Sequence, residues 1–326
     1  MRAGRGSRSV RTTLRSRPHV VKDEGSGTLS ARRGALVLVA LAQLAIGAAA
    51  IFARFALMDG GPLAVSAARL TVASIPVLVL AAARGALRPI DRAAERRLGL
   101  AGVLLAVHFG CWIASLNYAS VAISTLLVCS SAVWTELYAV VRRRRVDAYA
   151  AVSVVGAVCG VAIVVGAPDR ANTPLGIALA LAGAVAIGAY LIVVRSVDPA
   201  YGTLAVIART YPIAALALVL AAALAHDPLP PLADARAWAG ILAMALLSQL
   251  FGHTALNAAV RVLTATLVST FTLLEPVFAA LLAAWIFGER LGATTAVGAA
   301  VILAAIALAV RGEGRVVQAP ANNAQR

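Results

Sequence analysis

Two stretches decide the fold: AARLTVASIPVLVLAAA, from Ala67 to Ala83, and IARTYPIAALALVLAAA, from Ile207 to Ala223. The pair Ala68-Arg69 returns as Ala208-Arg209 at an offset of 140, and each pair leads into a run that ends in Val-Leu-Ala-Ala-Ala. The neighbouring segments repeat in step, since Ile46-Gly47-Ala48 with Arg54 returns as Ile187-Gly188-Ala189 with Arg195 at an offset of 141. Self-similarity at a fixed offset marks a duplicated unit. Each unit is made of apolar runs about 20 residues long, the length an α-helix needs to cross a hydrocarbon core of roughly 30 Å.

Working outward, ten such runs follow one another from Gly34, at 34–53, 63–83, 98–117, 120–141, 149–166, 174–194, 202–225, 238–258, 264–287 and 292–310. Runs one to five pair with six to ten. Five is odd, so the second unit enters the membrane from the opposite side, and an in-plane pseudo-two-fold axis relates the halves. The expected fold is therefore all-α integral membrane, with ten transmembrane helices arranged as two inverted five-helix repeats over 34–166 and 167–310. Residues 1–33 carry nine basic side chains and no acid before Asp23, and they read as a disordered cytoplasmic tail; residues 311–326 read as a second cytoplasmic tail.

Composition agrees. Apolar residues make up 61% of the 326 and charged ones 13%, with a mean hydropathy of +0.88, against about half and about a quarter in soluble domains. A β-barrel would show alternating segments of about 10 residues, which are absent from the sequence. The net charge of +15 would suggest nucleic acid in a soluble protein, but the basic residues lie between apolar runs and on the first tail, so they are topology signals and no nucleic-acid partner is expected. Counted along alternate loops with the first tail inside, 23 fall on the cytoplasmic side and 4 on the other, leaving Arg69 and Arg209 within runs. Both termini are predicted to be cytoplasmic. All basic residues but Lys22 are arginine, a usage typical of GC-rich bacterial genomes, and a bacterial plasma membrane is the expected location. Cys111, Cys129 and Cys159 lie inside apolar runs without CxxC spacing, so no disulfide, metal site or cofactor is expected. Gly156 and Gly160 form one GxxxG, read as close packing inside the bundle, with a homodimer left open.

The segments LEPVFAALLAAWIFGERLG, from Leu274 to Gly292, and GHTALNAAVRVLTATLVST, from Gly252 to Thr270, closely resemble the second repeat of the EamA-type family in the drug/metabolite transporter superfamily. The resemblance extends over residues 34–310. It implies two inverted five-helix repeats and a secondary transporter that exports amino acids and other small metabolites. The first repeat departs from the family pattern. Ala132 stands where the family has proline, and Arg142 to Arg145 stand where it has Gly-Glu-Arg. An interrupted helix is accordingly expected at Pro276 and not in the fourth run. The resemblance also makes Gln43 and Tyr190 candidates, because the first and sixth runs resemble helices that border the family's central cavity.

An ionisable group inside a span costs roughly 2.5–3.5 kcal/mol and so needs a cavity or a partner. Glu275 is the most central acid, and Pro276 after it cannot donate one turn back, which exposes backbone polarity beside a carboxylate. Thr272 sits one turn away. The carboxylate binds a substrate amine, carries a coupling proton, or locks helix ends together; the three readings stand side by side. Gln249, His253 and Asn257 recur at i, i+4 and i+8, a polar stripe expected to face the bundle interior, and His108, Trp112 and Ser115 form its counterpart in the third run. These residues line a pocket or act as interhelical hydrogen-bonding glue. Glu136 reads as an acid reaching towards Arg142 and Arg143. Arg69 and Arg209 read as structural, near span ends, bonded to backbone carbonyls or lipid phosphate.

The leading function is export of a small metabolite by alternating access, with protons as the coupling ion or by facilitated diffusion. Efflux of hydrophobic or cationic drugs is the alternative, favoured if Trp112, Trp134 and Glu275 form an aromatic cage. A non-transporting membrane sensor is the alternative of another class. An enzyme is not expected, since the sequence has no GxSxG, no HExxH and no paired intramembrane aspartates.

Overall fold

The computed structural model describes Met1 and residues 24–143, 148–165, 172–259, 272, 274–290 and 292–318. These form α1 (Glu24–Gly47), α2 (Ala49–Ala56), α3 (Pro62–Ala83), α4 (Arg92–Ser115), α5 (Val121–Val128), α6 (Ser131–Arg143), α7 (Ala148–Val165), α8 (Pro174–Arg195), α9 (Gly202–Leu224), α10 (Ala235–Ala243), α11 (Thr254–Ala259), α12 (Leu274–Phe287) and α13 (Ala293–Gln318), with a π-helical segment, Met244–His253, between α10 and α11. No strand occurs among the described residues. Among the described residues, six segments are long and apolar enough to cross a membrane: Val37–Ala56, Pro62–Ala83, Arg92–Ser115, Pro174–Arg195, Pro199–Leu224 and Ala235–Ala259. In lipid the backbone must satisfy its own hydrogen bonds, so apolar runs of this length become helices.

Polar caps start the helices where the chain leaves the apolar layer. Asp91 accepts from the N–H groups of Ala93 and Ala94, each at 2.9 Å. Its other oxygen accepts from the Tyr201 hydroxyl at 2.6 Å, and these bonds hold the Asp91 carboxyl below its ordinary range, the tyrosine contributing most. Asp227 performs the same task from a distance, accepting from Leu63 N–H at 2.6 Å and Ala64 N–H at 3.1 Å at the start of α3. Thr173 caps α8, with Pro174 at the first helical position.

The structure corrects four expectations. Helix α1 begins at Glu24, inside the segment expected to be disordered, and α13 continues to Gln318 beyond the expected span end. A helix keeps its internal hydrogen bonds outside lipid, so the edge of the apolar run does not fix its end. Residues 2–23 and 319–326 lie outside the described residues. The fourth run is interrupted although it lacks proline: α5 ends at Val128 and α6 starts at Ser131. The Ser130 hydroxyl and N–H both donate to the Leu127 carbonyl, at 2.6 and 3.1 Å, a turn that competes with helix continuation. The eighth run is not a plain α-helix but carries the π-helical segment, a form that recurs at functional sites.

Helix α3 packs on α9, α4 on α8 and α9, α7 on α13, α1 on the π-helical segment and α12, α2 on α10, and α5 on α8 and α12. Loops gather into two sets. One joins the ends of α2 and α4 to the start of α5, where Arg54 donates to the Leu116 carbonyl at 2.7 Å. The other joins the start of α4 to the end of α8, where Arg97 donates to the Ser196 carbonyl at 2.8 Å. Small residues set the closest approaches. A Cβ on Gly160 would lie 2.6 Å from Ile302 Cγ1, and one on Gly156 3.1 Å from the Ala305 Cβ, so this GxxxG seats α13 on α7 within one chain.

Gly240 is tighter in kind, since its Cβ would lie 2.5 Å from the Phe52 carbonyl oxygen, which is backbone and cannot swing away. Gly240→Ala should therefore lower thermal stability by about 1–3 kcal/mol through overpacking of α10 on α2. Gly99→Ala, a helical site with nothing within 4 Å, should raise it by about 0.5–1 kcal/mol. Melting curves of the purified variants check both signs.

Candidate functional site

Arg69 lies on the buried side of α3 and is fully buried, one of the largest such side chains. Its Nη2 donates to Gln249 Oε1 at 2.9 Å. Its guanidinium lies over the Phe109 ring at 4.0 Å and 5.9 Å from the Trp112 ring centre. The expected carbonyl partners are therefore not those of Arg69 among the described residues, whereas Arg209 has them. The latter pairs with Glu95 at 3.1 Å and donates to the carbonyls of Ala86, Arg88 and Ala205. The two part company because Arg209 can reach the loop after α3, whereas Arg69 points between α4 and the π-helical segment. A charge at such depth costs roughly 2.5–3.5 kcal/mol. A hydrogen bond to a charged group returns about 1.5–3 and a desolvated cation–π contact about 2, so these contacts offset the cost.

Around the guanidinium stand four rings. His108 and Trp112 stack with centroids 6.3 Å apart and planes 6° from parallel, and Phe109 meets His253 edge-on at 5.2 Å. His108 and His253 lie 6.4 Å apart, so the third and eighth runs bring their histidines together. The Nδ1–H of His108 donates to the Gly183 carbonyl at 3.0 Å, which fixes the ring against α8. Ser115, expected on the same face, is instead spent inside α4 and towards α5, donating to the Trp112 carbonyl and bonding Ser124 Oγ, both at 2.6 Å.

The stripe of Gln249, His253 and Asn257 is buried along its whole length, but its members have separate roles. Gln249 holds Arg69, and His253 belongs to the ring cluster. Asn257 is a clasp: it accepts from the Tyr190 hydroxyl and donates to the His253 carbonyl, both at 2.8 Å. Tyr190 and Asn257 are thereby satisfied by each other's elements, α8 and α11. Gln43 is fully buried on α1, and neither of its amide atoms has a partner among the described residues.

Glu275 opens α12 beside Pro276, in the first turn, where a missing N–H costs nothing. Its backbone N–H donates to the Thr272 carbonyl at 3.1 Å. The carboxyl is buried, with the Cys129 thiol and the Arg69 guanidinium within electrostatic range. The turn at Cys129 and Ser130 in the fourth run and the start of α12 in the ninth therefore meet at this acid. The Glu136 side chain and the Arg144 and Arg145 end of the basic run lie outside the described residues.

At the end of the bundle, Arg54 pairs with Glu289 at 3.0 Å, and Glu289 also accepts from the Val121 N–H at 3.0 Å at the start of α5. A cavity of about 630 Å³ runs from this point between α5, α12 and α13 to Pro276 and Leu126. Apart from Ser120, Glu289 and Arg290 its walls are apolar, and Arg69 is not among the residues that line it.

A family model described as the EamA-like transporter family matches this sequence twice in succession, over residues 33–166 and 174–311. The chain belongs to the EamA-like transporter family. A solved crystal structure superposes on this EamA-like chain with a TM-score of 0.63 at 18% identity, covering 87% of this chain and 99% of the other, a likeness of fold. Comparison with curated proteins finds no match. Within this EamA-like protein, sequence reasoning missed Arg69, Phe109 and Cys129 as members of the centre. The signal for Arg69 was available, since a charge inside an apolar run needs a partner, but its repeat with Arg209 pointed to a shared structural role.

The Glu289 bridge joins the Gly-Glu-Arg segment of the second repeat to two helices of the first. Glu289→Ala should cost about 1–2 kcal/mol, the sum of a partly exposed ion pair and a lost helix cap. Arg54→Ala should cost less, and a double-mutant cycle read by thermal melting should give a coupling of about 0.5–1 kcal/mol.

Proposed function

We propose that this chain is a ten-span secondary transporter of a bacterial plasma membrane, with both termini cytoplasmic. Its two inverted repeats give alternating access to the centre at Arg69, Gln249, His108, His253, Trp112 and Glu275, and it exports small polar metabolites such as amino acids. Glu275 carries the coupling proton.

The observation that carries this reading is the symmetry of the packing. Numbering the runs one to ten, exchange of each with its partner five places on maps the largest inter-run contacts onto one another. The packing of α4 on α8 exchanges with that of the π-helical segment on α1, α4 on α9 with the π-helical segment on α3, and α5 on α8 with α12 on α1. The pairs α3 with α9, α5 with α12 and α7 with α13 map onto themselves. A bundle built this way can trade the conformations of its halves at little cost, turning an opening on one side into an opening on the other. Residues of the centre come from both halves, so the exchange would re-expose them.

Efflux of hydrophobic cations is the weaker reading, because the Arg69 charge lies against the very rings that a cationic guest would need. Flux of labelled amino acids in proteoliposomes under an imposed pH gradient tests the proposal. Unaltered protein should transport, and Glu275→Gln should fold normally yet lose flux or its pH dependence. Equal flux and pH profile in the variant would remove Glu275 from coupling. No flux of any labelled metabolite would favour a sensor.

A further inference from the structure

We propose that Arg69 is the anion receptor of the central site and that the substrate presents a carboxylate to it. The assignment rests on the transport reading for a substrate to reach the site, and goes beyond it in naming the group recognised and the residue that recognises it.

The donor inventory is the first argument. A guanidinium has five N–H donors and cannot lose its charge. The bond to Gln249 occupies one, and Nε and Nη1 have no partner among the described residues. The Phe109 ring, 4.0 Å from the guanidinium carbon, offers a cation–π contact but no hydrogen-bond acceptor, so it does not use up these donors. Trp112, 5.9 Å away, has its Nε1–H unpartnered among the described residues too, as does the Nε2 of Gln249. One full positive charge and neutral donors beside it suit a single negative charge; a phosphate dianion would leave charge unmatched.

The second argument is the acid that does not bind. Glu275 lies within electrostatic range of Arg69, yet no ion pair joins the two among the described residues. A bridge built for packing would close that gap and consume the donors.

Arg209 supplies the contrast within the same molecule. At the repeat-equivalent position it is spent on Glu95 and three carbonyls, which is what an arginine with a structural task looks like. Arg69 has one such bond and a ring.

The test uses the purified full-length chain in detergent, read by thermal shift, which requires no transport. The probes are L-phenylalanine, L-leucine, 3-phenylpropionate and lactate, each beside its own amide. Unaltered protein should bind at least one acid about ten- to a hundredfold more tightly than its amide, the worth of hydrogen bonds to a charged group. Arg69→Gln should bring that ratio close to one. Arg69→Lys should keep a preference for the acid with weaker affinity, and it decides the matter if Arg69→Gln does not fold. Arg209→Gln should lower the melting temperature and leave the ratio unchanged. Equal binding of acid and amide by unaltered protein, binding of no acid, or an unchanged ratio in folded Arg69→Gln would each overturn the proposal. Acid binding without flux would instead count against transport alone, and flux without acid preference against Arg69 alone.

Discussion

A guanidinium surrounded by apolar helices has to be given partners by the helices themselves, because lipid offers none. Arg69 receives them from three side chains: the amide of Gln249 and the rings of Phe109 and Trp112. Each demand shapes its own element. The π-helical segment Met244–His253 carries Gln249 towards α3, and α4 presents Phe109 and Trp112 on adjacent turns. His253 then packs edge-on against Phe109. The arrangement ties the two halves of the chain together at their centre by polar contacts, while Ala, Leu and Val do the bulk of the packing around it.

Symmetry in the backbone packing is not matched by symmetry in charge. At one end of the bundle, Arg54 of the first repeat meets Glu289 of the second. At the other, the repeat partner of Arg54 is Arg195, which is exposed, and the loop equivalent to Gly-Glu-Arg is the arginine run from Arg142 to Arg145. Like charges there cannot close the same latch. If the halves exchange conformations as proposed, this difference in end contacts would favour one side open over the other by no more than the small worth of a partly exposed ion pair. Such a bias is compatible with exchange between states.

Hydropathy made much of the fold legible. Runs read at 63–83, 174–194 and 202–225 became Pro62–Ala83, Pro174–Arg195 and Gly202–Leu224, because bilayer thickness dictates helix length. What escaped the sequence was local. A turn closed by the Ser130 hydroxyl leaves no proline to announce it, and a π-helical segment is indistinguishable from an α-helix in a pattern of i and i+4. The stripe of Gln249, His253 and Asn257 was legible as buried, but its division into an arginine partner, a ring contact and a clasp to Tyr190 depends on the facing helices. The difference between Arg69 and Arg209 was illegible for the same reason: one sequence context, two surroundings.

The central claim is that the polar centre between the halves is reached alternately from the two sides of the membrane. Cys129 reports on it directly, since its thiol lies beside Glu275. With Cys111 and Cys159 replaced by alanine, a small membrane-impermeant thiol reagent is applied to oriented proteoliposomes from either face, and modification of Cys129 is followed by mass spectrometry. The account predicts modification from both faces. Modification from one face alone, or from neither, would contradict it.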